Sequence, residues 1–163
     1  MQLNEVMNQP VVACPENTTL DHAARLMWEQ DCGIMPVIDE DGRLVGVVTD
    51  RDICMSAYTQ GLPLNAIAVT TAMARTVVAG HEDDSIESAE QLMQDNQIRR
   101  LPVVDGEGRP VGMVSLNDLA RLVAQARRTT SDRELVQTLA AICRPRMMPV
   151  QSTSRPLSRA VAS

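Results

Sequence analysis

Hydrophobic and polar positions recur along this chain of 163 residues with a constant offset of 66 residues and no gap. Residues 46–53 read Gly-Val-Val-Thr-Asp-Arg-Asp-Ile, and residues 112–119 read Gly-Met-Val-Ser-Leu-Asn-Asp-Leu. Pro36-Val37 falls on Pro102-Val103 in the same register. A gapless repeat indicates one supersecondary unit used twice, and a unit of this size buries too little surface to be stable alone.

Both units show the same order of predicted elements. A short apolar run predicts a strand, and apolar residues at helical spacing then predict a helix. Two further apolar runs joined by turn residues predict a hairpin, which a second helix follows. In the first unit these elements are predicted at residues 11–13, 20–27, 35–38, 44–49 and 51–58. The last helix of the second unit is predicted at 117–128. The doubled β-α-β-β-α order predicts an α/β fold with pseudo-two-fold symmetry and one shared core.

A further amphipathic helix is predicted beyond the second unit. Leu135, Leu139 and Ile142 form one apolar stripe, which must bury against this chain or against a partner subunit. Proline, serine, threonine and arginine dominate from Pro145 onward, which is typical of a flexible tail. We therefore divide the chain into a first repeat with its lead-in and linker at 1–62, a second repeat at 63–128, and a C-terminal helix and tail at 129–163.

Charge and cysteine spacing exclude several classes of protein. The net charge of −6 argues against nucleic acid as the main partner. The four cysteines contain no C-x-x-C pair, which favours reduced thiols in a cytosolic protein over a zinc or redox site. The first residues lack the basic and apolar regions of a signal peptide, and no apolar run approaches the roughly 20 residues of a membrane span. We expect a cytoplasmic protein with no membrane partner.

Motifs for catalysis or metal binding are missing from the sequence. His22 and His81 do not stand at the spacing of a catalytic or metal-ligating pair. The chain has no nucleophile elbow, no P-loop and no Gly-x-Gly-x-x-Gly. The two repeats leave only a helix and a tail for other machinery, so we expect a protein that is not an enzyme and holds no metal.

The doubled pattern of apolar-Pro-Val-x-Asp followed by Gly-x-[Val/Met]-Val-[Thr/Ser]-x-x-Asp resembles cystathionine-β-synthase (CBS) domains, two of which in tandem form a Bateman module. The resemblance covers about residues 3–125. It implies regulatory binding of an adenosine-containing ligand in the clefts between the repeats, with no obligatory cofactor. AMP or ATP is the first candidate, and ADP, NAD, S-adenosylmethionine and cyclic dinucleotides are others. It further implies a homodimer of modules packed as a flat disc, with exposed helices of both units at the interface.

The Thr49-x-x-Asp52 and Ser115-x-x-Asp118 pairs are the first candidate ligand sites. A carboxylate in the first turn of a helix can accept two hydrogen bonds from a ribose diol, while the hydroxyl and free helix N–H groups face a phosphate. The same spacing also caps helices without any ligand. Thr18-x-x-Asp21 shows such a cap where we expect no ligand, so the spacing alone does not decide between the two interpretations.

The resemblance also implies where the adenine lies, against the first strand and the start of the second strand of each unit. As apolar strand residues, most of these positions are also expected in the core. We expect the backbone groups of Ile34 and Arg100 to touch the ligand. The implied residues are Val12, Ile34, Met35 and Pro36 in the first unit, and Val78, Arg100, Leu101 and Pro102 in the second.

Arginines differ between the two copies. Arg51 stands inside the first Thr-x-x-Asp pair, where the second pair has Asn117. Arg100 precedes Leu-Pro in the second unit, where the first unit has Ile34. Arginine suits phosphate because its planar fork donates hydrogen bonds in pairs, although each of these arginines is equally well explained as surface charge. The mismatch predicts two inequivalent ligand sites, with Arg51 and Asn117 as further candidate ligand residues.

Three hypotheses for function follow. The first is a non-catalytic sensor that binds an adenosine ligand and signals to a separate effector protein. The second is a dimerisation or docking scaffold whose clefts are empty or vestigial. An aspartate at the matching position of each copy, Asp52 and Asp118, argues against this hypothesis. An enzyme is the third and has the least support.

Overall fold

The computed structural model describes residues 1–125 and 132–144. Each repeat is a three-stranded sheet with two helices. The first repeat comprises β1 (Cys14–Pro15), α1 (Leu20–Glu29), β2 (Ile34–Ile38), β3 (Leu44–Thr49) and α2 (Asp50–Gln60). After a short helix α3 (Val69–Ala72), the second repeat comprises β4 (Gly80–His81), α4 (Ile86–Asn96), β5 (Arg100–Val104), β6 (Pro110–Ser115) and α5 (Leu116–Gln125). Helix α6 (Asp132–Ile142) follows.

The two sheets share one pairing register, which confirms the doubled α/β pattern. In each repeat the first strand runs parallel to the second, and the second runs antiparallel to the third. Pro36 lies opposite Val47 in the first sheet, and Pro102 lies opposite Met113 in the second. The repeat in the sequence is therefore a repeat in backbone hydrogen bonding.

The predicted strand at residues 11–13 is wrong, because pairing begins only at Cys14, which lies opposite Val37. Shortly before it, Asn8 forms a backbone bridge to the second repeat, so the intervening residues pass between the two sheets. Val12 packs against the first core from this position. The apolar run thus reflects burial between repeats. The elements predicted at 20–27, 35–38, 44–49 and 51–58 are confirmed with ends shifted by a few residues, as is usual for element boundaries. The helix predicted at 117–128 is confirmed over the described residues Leu116–Gln125, and 126–128 lie outside them.

The segment that leads into each repeat packs on the core of the other repeat. Leu3 and Met7 are buried in the second core, whereas Val69 is buried in the first. Backbone hydrogen bonds follow the same exchange, since Leu3 N donates to Asp84 O and Val69 N donates to Thr18 O, both at 2.9 Å. The two repeats are therefore interlocked, and a division of the chain at residue 62 describes the sequence repeat more closely than the packing.

This exchange explains the glycine that opens each repeated motif. A Cβ atom at Gly112 would collide with the side chain of Met7, which comes from the lead-in of the first repeat. At the matching position, a Cβ atom at Gly46 would collide with Met73 and lie 3.1 Å from the carbonyl oxygen of Ala74. Both glycines are needed because a lead-in segment crosses directly over them.

Helix α6 covers the helical face of the second repeat. Fully buried Thr138 accepts a hydrogen bond from Gln94 Nε2 of α4 at 2.9 Å. Ile142 is buried and packs in the second core. The predicted stripe therefore buries against its own chain. The side chain of Leu135 and the predicted tail from Pro145 onward lie outside the described residues.

Candidate functional site

The first candidate pair forms a reciprocal cap at the junction of β3 and α2. Asp52 Oδ2 accepts hydrogen bonds from Thr49 N at 2.9 Å and from Thr49 Oγ1 at 2.6 Å. Asp52 N donates back to Thr49 Oγ1 at 3.2 Å. The predicted capping interpretation is therefore correct for this pair. Within the part of the chain that the structure describes, Oδ1 of Asp52 has no hydrogen-bond partner, so one carboxylate oxygen is left to accept from a ligand.

Ser115 and Asp118 form the same cap between β6 and α5. Asp118 Oδ2 accepts from Ser115 N at 2.8 Å and from Ser115 Oγ at 2.5 Å. Here the second oxygen is also engaged, because Asp118 Oδ1 accepts a hydrogen bond from Arg121. Asp118 is only 3% exposed. Burial raises the pKa of this carboxyl, but hydrogen bonds from Ser115, Asn8 and Arg121 outweigh burial, so its pKa lies below the ordinary value.

The N-terminus of α2 differs from the expectation of free N–H groups for a phosphate. Asp50 N donates to Gly33 O at 3.3 Å, and Arg51 N donates to Asp50 Oδ1 at 2.7 Å. Asp52 N is engaged in the cap described above. The expectation is wrong here, since the first three N–H groups of α2 already have acceptors and a carboxylate stands among them.

A cleft of about 300 Å³ lies between the repeats. Val12 and Ile34 of the first repeat line one part of it, and Arg100 and Ser115 of the second repeat line another. Met113, two residues before Ser115, adds an apolar surface. Four predicted site residues thus converge in one place, but they come from different repeats. The apolar wall of one unit faces the Ser115 hydroxyl of the other, whereas the Asp118 carboxylate that Ser115 contacts lies behind it and outside the lining.

The remaining predicted residues lie elsewhere. Four of them are buried strand residues that do not line this cleft: Met35, Pro36, Leu101 and Pro102. Val78 is half-buried and packs against the second core. Arg51 and Asn117 are exposed in the first turns of α2 and α5. Thr49 and Asp52 form the cap of the other repeat, outside the lining of this cleft.

A second cleft, of about 440 Å³, adjoins the first on the helical side of the first repeat. The two clefts share Asp31, Cys32 and Arg100. Sequence reasoning missed Asp31 and Asp50, which give this cleft two carboxylates beside one guanidinium. No sequence signal marked Asp31, because its left-handed backbone conformation after α1, with φ of 49°, is visible only in the structure.

Other candidate chemistry is limited. All four cysteines are free thiols, and burial raises the pKa of the Cys14 thiol to about 11. Across residues 1–125 and 132–144, no group of three or more histidine, cysteine, aspartate or glutamate residues is placed to hold a metal ion. None of the helices in these same ranges is long and apolar enough to cross a membrane.

Two of the solved structures similar to this chain are complexes with adenosine compounds. The CBS domain pair of protein MJ0100, in complex with 5′-methylthioadenosine and S-adenosyl-L-methionine, matches with a TM-score of 0.67 and 29% identity, over 76% of this chain and 96% of that one. CBSX2 in complex with AMP matches with a TM-score of 0.67 and 27% identity, over 78% of this chain and 98% of that one.

Sequence comparisons agree with the structural ones. The CBS domain-containing protein YhcV of Bacillus subtilis is 40% identical over 118 residues, which are 72% of this chain and 82% of YhcV. A homoserine O-acetyltransferase of Methanohalobium evestigatum is 32% identical over 123 residues, which are only 24% of that protein. The CBS domain model matches residues 3–57 and 68–125. The chain therefore belongs to the CBS domain family and carries two copies of the domain.

Proposed function

We propose that this chain is a non-catalytic sensor that binds an adenosine-containing ligand in the 300 Å³ cleft between its repeats and signals to a separate effector protein. The observation that carries the proposal is the composite lining of that cleft. Apolar residues suited to a flat base, the Ser115 hydroxyl that is hydrogen-bonded to Asp118, the Asp31 carboxylate and one guanidinium meet there. AMP and S-adenosylmethionine, the ligands of two similar proteins, are both adenosine compounds with a charged 5′ group.

The lining suggests one orientation for such a ligand. The adenine lies between Val12 and Met113, with its edge at the backbone of Ile34. The ribose diol faces Asp118, which Ser115 holds in place by two hydrogen bonds. The 5′ group extends toward Arg100, the one cation among the residues that line the cleft. An anionic 5′ group is favoured there because a guanidinium donates to carboxylate or phosphate in a planar fork.

Binding in this orientation requires a local exchange of partners. The ribose competes with Arg121 for Oδ1 of Asp118. Arg121 is largely exposed, so its release into water is inexpensive compared with the release of a buried partner. In the first repeat, Met55 stands at the position of Arg121 and cannot compete in this way. The Thr49–Asp52 and Ser115–Asp118 caps should therefore bind the ligand with different affinities, in line with the two inequivalent sites that the arginine mismatch predicts.

Two further properties belong to the same proposal. Four free thiols fit a reducing compartment such as the cytoplasm. We further propose a homodimer and a separate effector protein that recognises it, which would give the sensor an output. Ligand binding can alter that output only if the protein has two conformations that differ in their affinity for the ligand.

The test is thermal unfolding with a panel of AMP, ATP, NAD, S-adenosylmethionine and 5′-methylthioadenosine. A ligand present at about 100 times its dissociation constant should stabilise the protein by roughly 2.7 kcal/mol. Asp118→Asn should abolish this shift. Asp21→Asn removes a first-turn carboxylate of α1 that accepts a hydrogen bond from the Thr19 hydroxyl and lines neither cleft, so it should leave the shift unchanged.

A flat response across the panel, on protein shown to be free of bound ligand, contradicts the sensor and favours the scaffold. A shift that survives Asp118→Asn but is lost in Asp52→Asn would mean that the ligand binds at the Thr49–Asp52 cap. That result contradicts binding in the 300 Å³ cleft between the repeats.

A further inference from the structure

Two side chains of opposite charge line the 300 Å³ cleft, and they are its only charged residues within the part of the chain that the structure describes. Arg100 opens β5, and Asp31 follows the C-terminal end of α1. Both residues are exposed. Among the described residues no ion pair joins them, so each charge is open to a group of the ligand. The charge of this lining is therefore balanced, and both signs are present.

Arg100 also has a second carboxylate nearby, in the adjoining 440 Å³ cleft. Asp50 lines that cleft together with Arg100 and Asp31. A Cβ atom at Gly33 would lie 2.9 Å from Asp50 Oδ2 and 3.7 Å from Arg100 Nη1, so both groups lie against this glycine. The two carboxylates lower the positive potential that the guanidinium presents to an anion. A phosphate monoester, which carries about two negative charges at neutral pH, is repelled by both.

The helix beside the cleft gives a phosphate little compensation. Helix α5 begins directly after Ser115, and the N–H groups at a helix N-terminus are a frequent phosphate site. Leu116 N already donates to the carbonyl oxygen of Arg99 at 3.0 Å, and Asp118 N donates to Ser115 Oγ at 3.3 Å. The first and third N–H groups of α5 are therefore engaged within the protein.

We propose that this cleft prefers an adenosine ligand whose 5′ substituent is zwitterionic, as an amino-acid group is, over one whose 5′ substituent is a phosphate. This inference rests on the proposed function, because it assigns the class of ligand for the same site. The carboxylate of the ligand accepts hydrogen bonds from the fork of the Arg100 guanidinium. Its ammonium group donates to the Asp31 carboxylate, which has no donor of its own to offer a phosphate.

The test compares three ligands by isothermal titration calorimetry on the full-length protein. S-adenosylhomocysteine carries the amino-acid group without a charged sulfur, AMP carries a phosphate, and 5′-methylthioadenosine carries neither. We expect S-adenosylhomocysteine to bind at least about tenfold more tightly than either of the others, which is the effect of one hydrogen bond between charged groups.

Asp31→Gln gives the sharper result, because its two expected effects have opposite signs. The variant should bind S-adenosylhomocysteine about tenfold more weakly, since the ammonium group loses its acceptor charge. It should bind AMP more tightly, since the repulsion of the phosphate is reduced. The backbone accommodates the change, because Gln97 occupies the matching position of the second repeat with φ of 50°, against 49° at Asp31.

The matched control is Asp21→Asn. It removes the same charge from the same helix, α1, but Asp21 lines neither cleft. Both affinities should stay unchanged, because solvent screens the interaction of exposed charges that are not in contact.

The outcomes separate this inference from the proposed function. AMP or ATP that binds more tightly than S-adenosylhomocysteine, with or without magnesium, overturns the preference and leaves the sensor standing. The same holds if Asp31→Gln changes the two affinities in the same direction or changes neither. Protein that is shown to be free of bound ligand and binds none of these compounds overturns the sensor, and the inference with it.

Discussion

Asp52 and Asp118 occupy one position in two copies of the same backbone, and yet their surroundings differ. Around Asp118 the chain supplies Arg121, which holds the second carboxylate oxygen. The matching position in the first repeat is Met55, which offers no hydrogen-bond donor. The matching hydrogen bonds of the two caps have nearly equal lengths, for example 2.9 Å from Thr49 N to Asp52 Oδ2 and 2.8 Å from Ser115 N to Asp118 Oδ2. The comparison teaches that the repeated motif builds the carboxylate, while single unmatched residues outside the motif decide how available it is.

The helical faces extend the comparison from one carboxylate to a whole surface. Gln94 and Gln97 tie α6 to the second repeat, whereas Trp28 and Asp31 at the same positions leave the first repeat open. In both cases groups of the same chain contact the second repeat: Arg121 binds Asp118, and α6 covers the helical face. In the first repeat, Oδ1 of Asp52 and the helical face have no such contact within the part of the chain that the structure describes.

The largest expected effect comes from the exchanged lead-in segments. Leu3→Ala removes a fully buried side chain from the second core and should lower the free energy of unfolding by about 2–5 kcal/mol. Because Leu3 belongs in sequence to the first repeat, hydrogen exchange should increase mainly in β5 and β6 of the second. Urea unfolding measures the loss, and exchange mass spectrometry locates it.

Val69→Ala is the mirror control, since Val69 is fully buried in the first core. It should increase exchange mainly in β2 and β3. If Leu3→Ala instead loosened the first repeat, the exchanged packing would be contradicted.

The next effect concerns the glycine beneath each lead-in. Gly112→Ala should lower the free energy of unfolding by about 1–3 kcal/mol, because its Cβ atom overlaps the buried side chain of Met7. Combining it with Met7→Ala should cost less than the sum of the two single changes, since residues in contact are not additive. Gly106→Ala, where a Cβ atom meets nothing within 4 Å, is the matched control and should be nearly neutral. Strict additivity in urea unfolding would contradict this contact.

Much of this fold follows from the sequence, because the 66-residue offset and the apolar runs predict the same order of elements in both repeats, and the two sheets indeed share one strand order. The exchanged packing of Leu3 and Val69 does not follow from it. Both segments are short apolar lead-ins with equal hydrophobicity patterns, and no periodicity says which of two equivalent cores will bury them. The error at residues 11–13 has the same cause, since burial between two sheets produces an apolar run that imitates a strand.

The candidate site was predictable to the same extent. The hydroxyl–carboxylate spacing correctly identifies both caps, but the same spacing at Thr18-x-x-Asp21 does not form the predicted cap, since Thr19 is the N-cap of α1 and its hydroxyl donates to Asp21 Oδ1. The convergence of Ile34 with Ser115 depends on how the two repeats face each other. That orientation is a property of the assembled core, so Asp31 and Asp50 could be found only in three dimensions.

A smaller effect is expected for the pH dependence of the Asp118 cap. The pKa of Asp118 is lowered in the folded state, so its contribution to stability is present above the unfolded value of about 3.9 and is lost as pH falls through the lower folded value. Asp118→Asn should therefore be less stable than the wild type at pH 7, and the difference should narrow below about pH 4. Urea midpoints between pH 7 and pH 3 measure it. A constant difference across that range would mean that the charge of Asp118 contributes nothing.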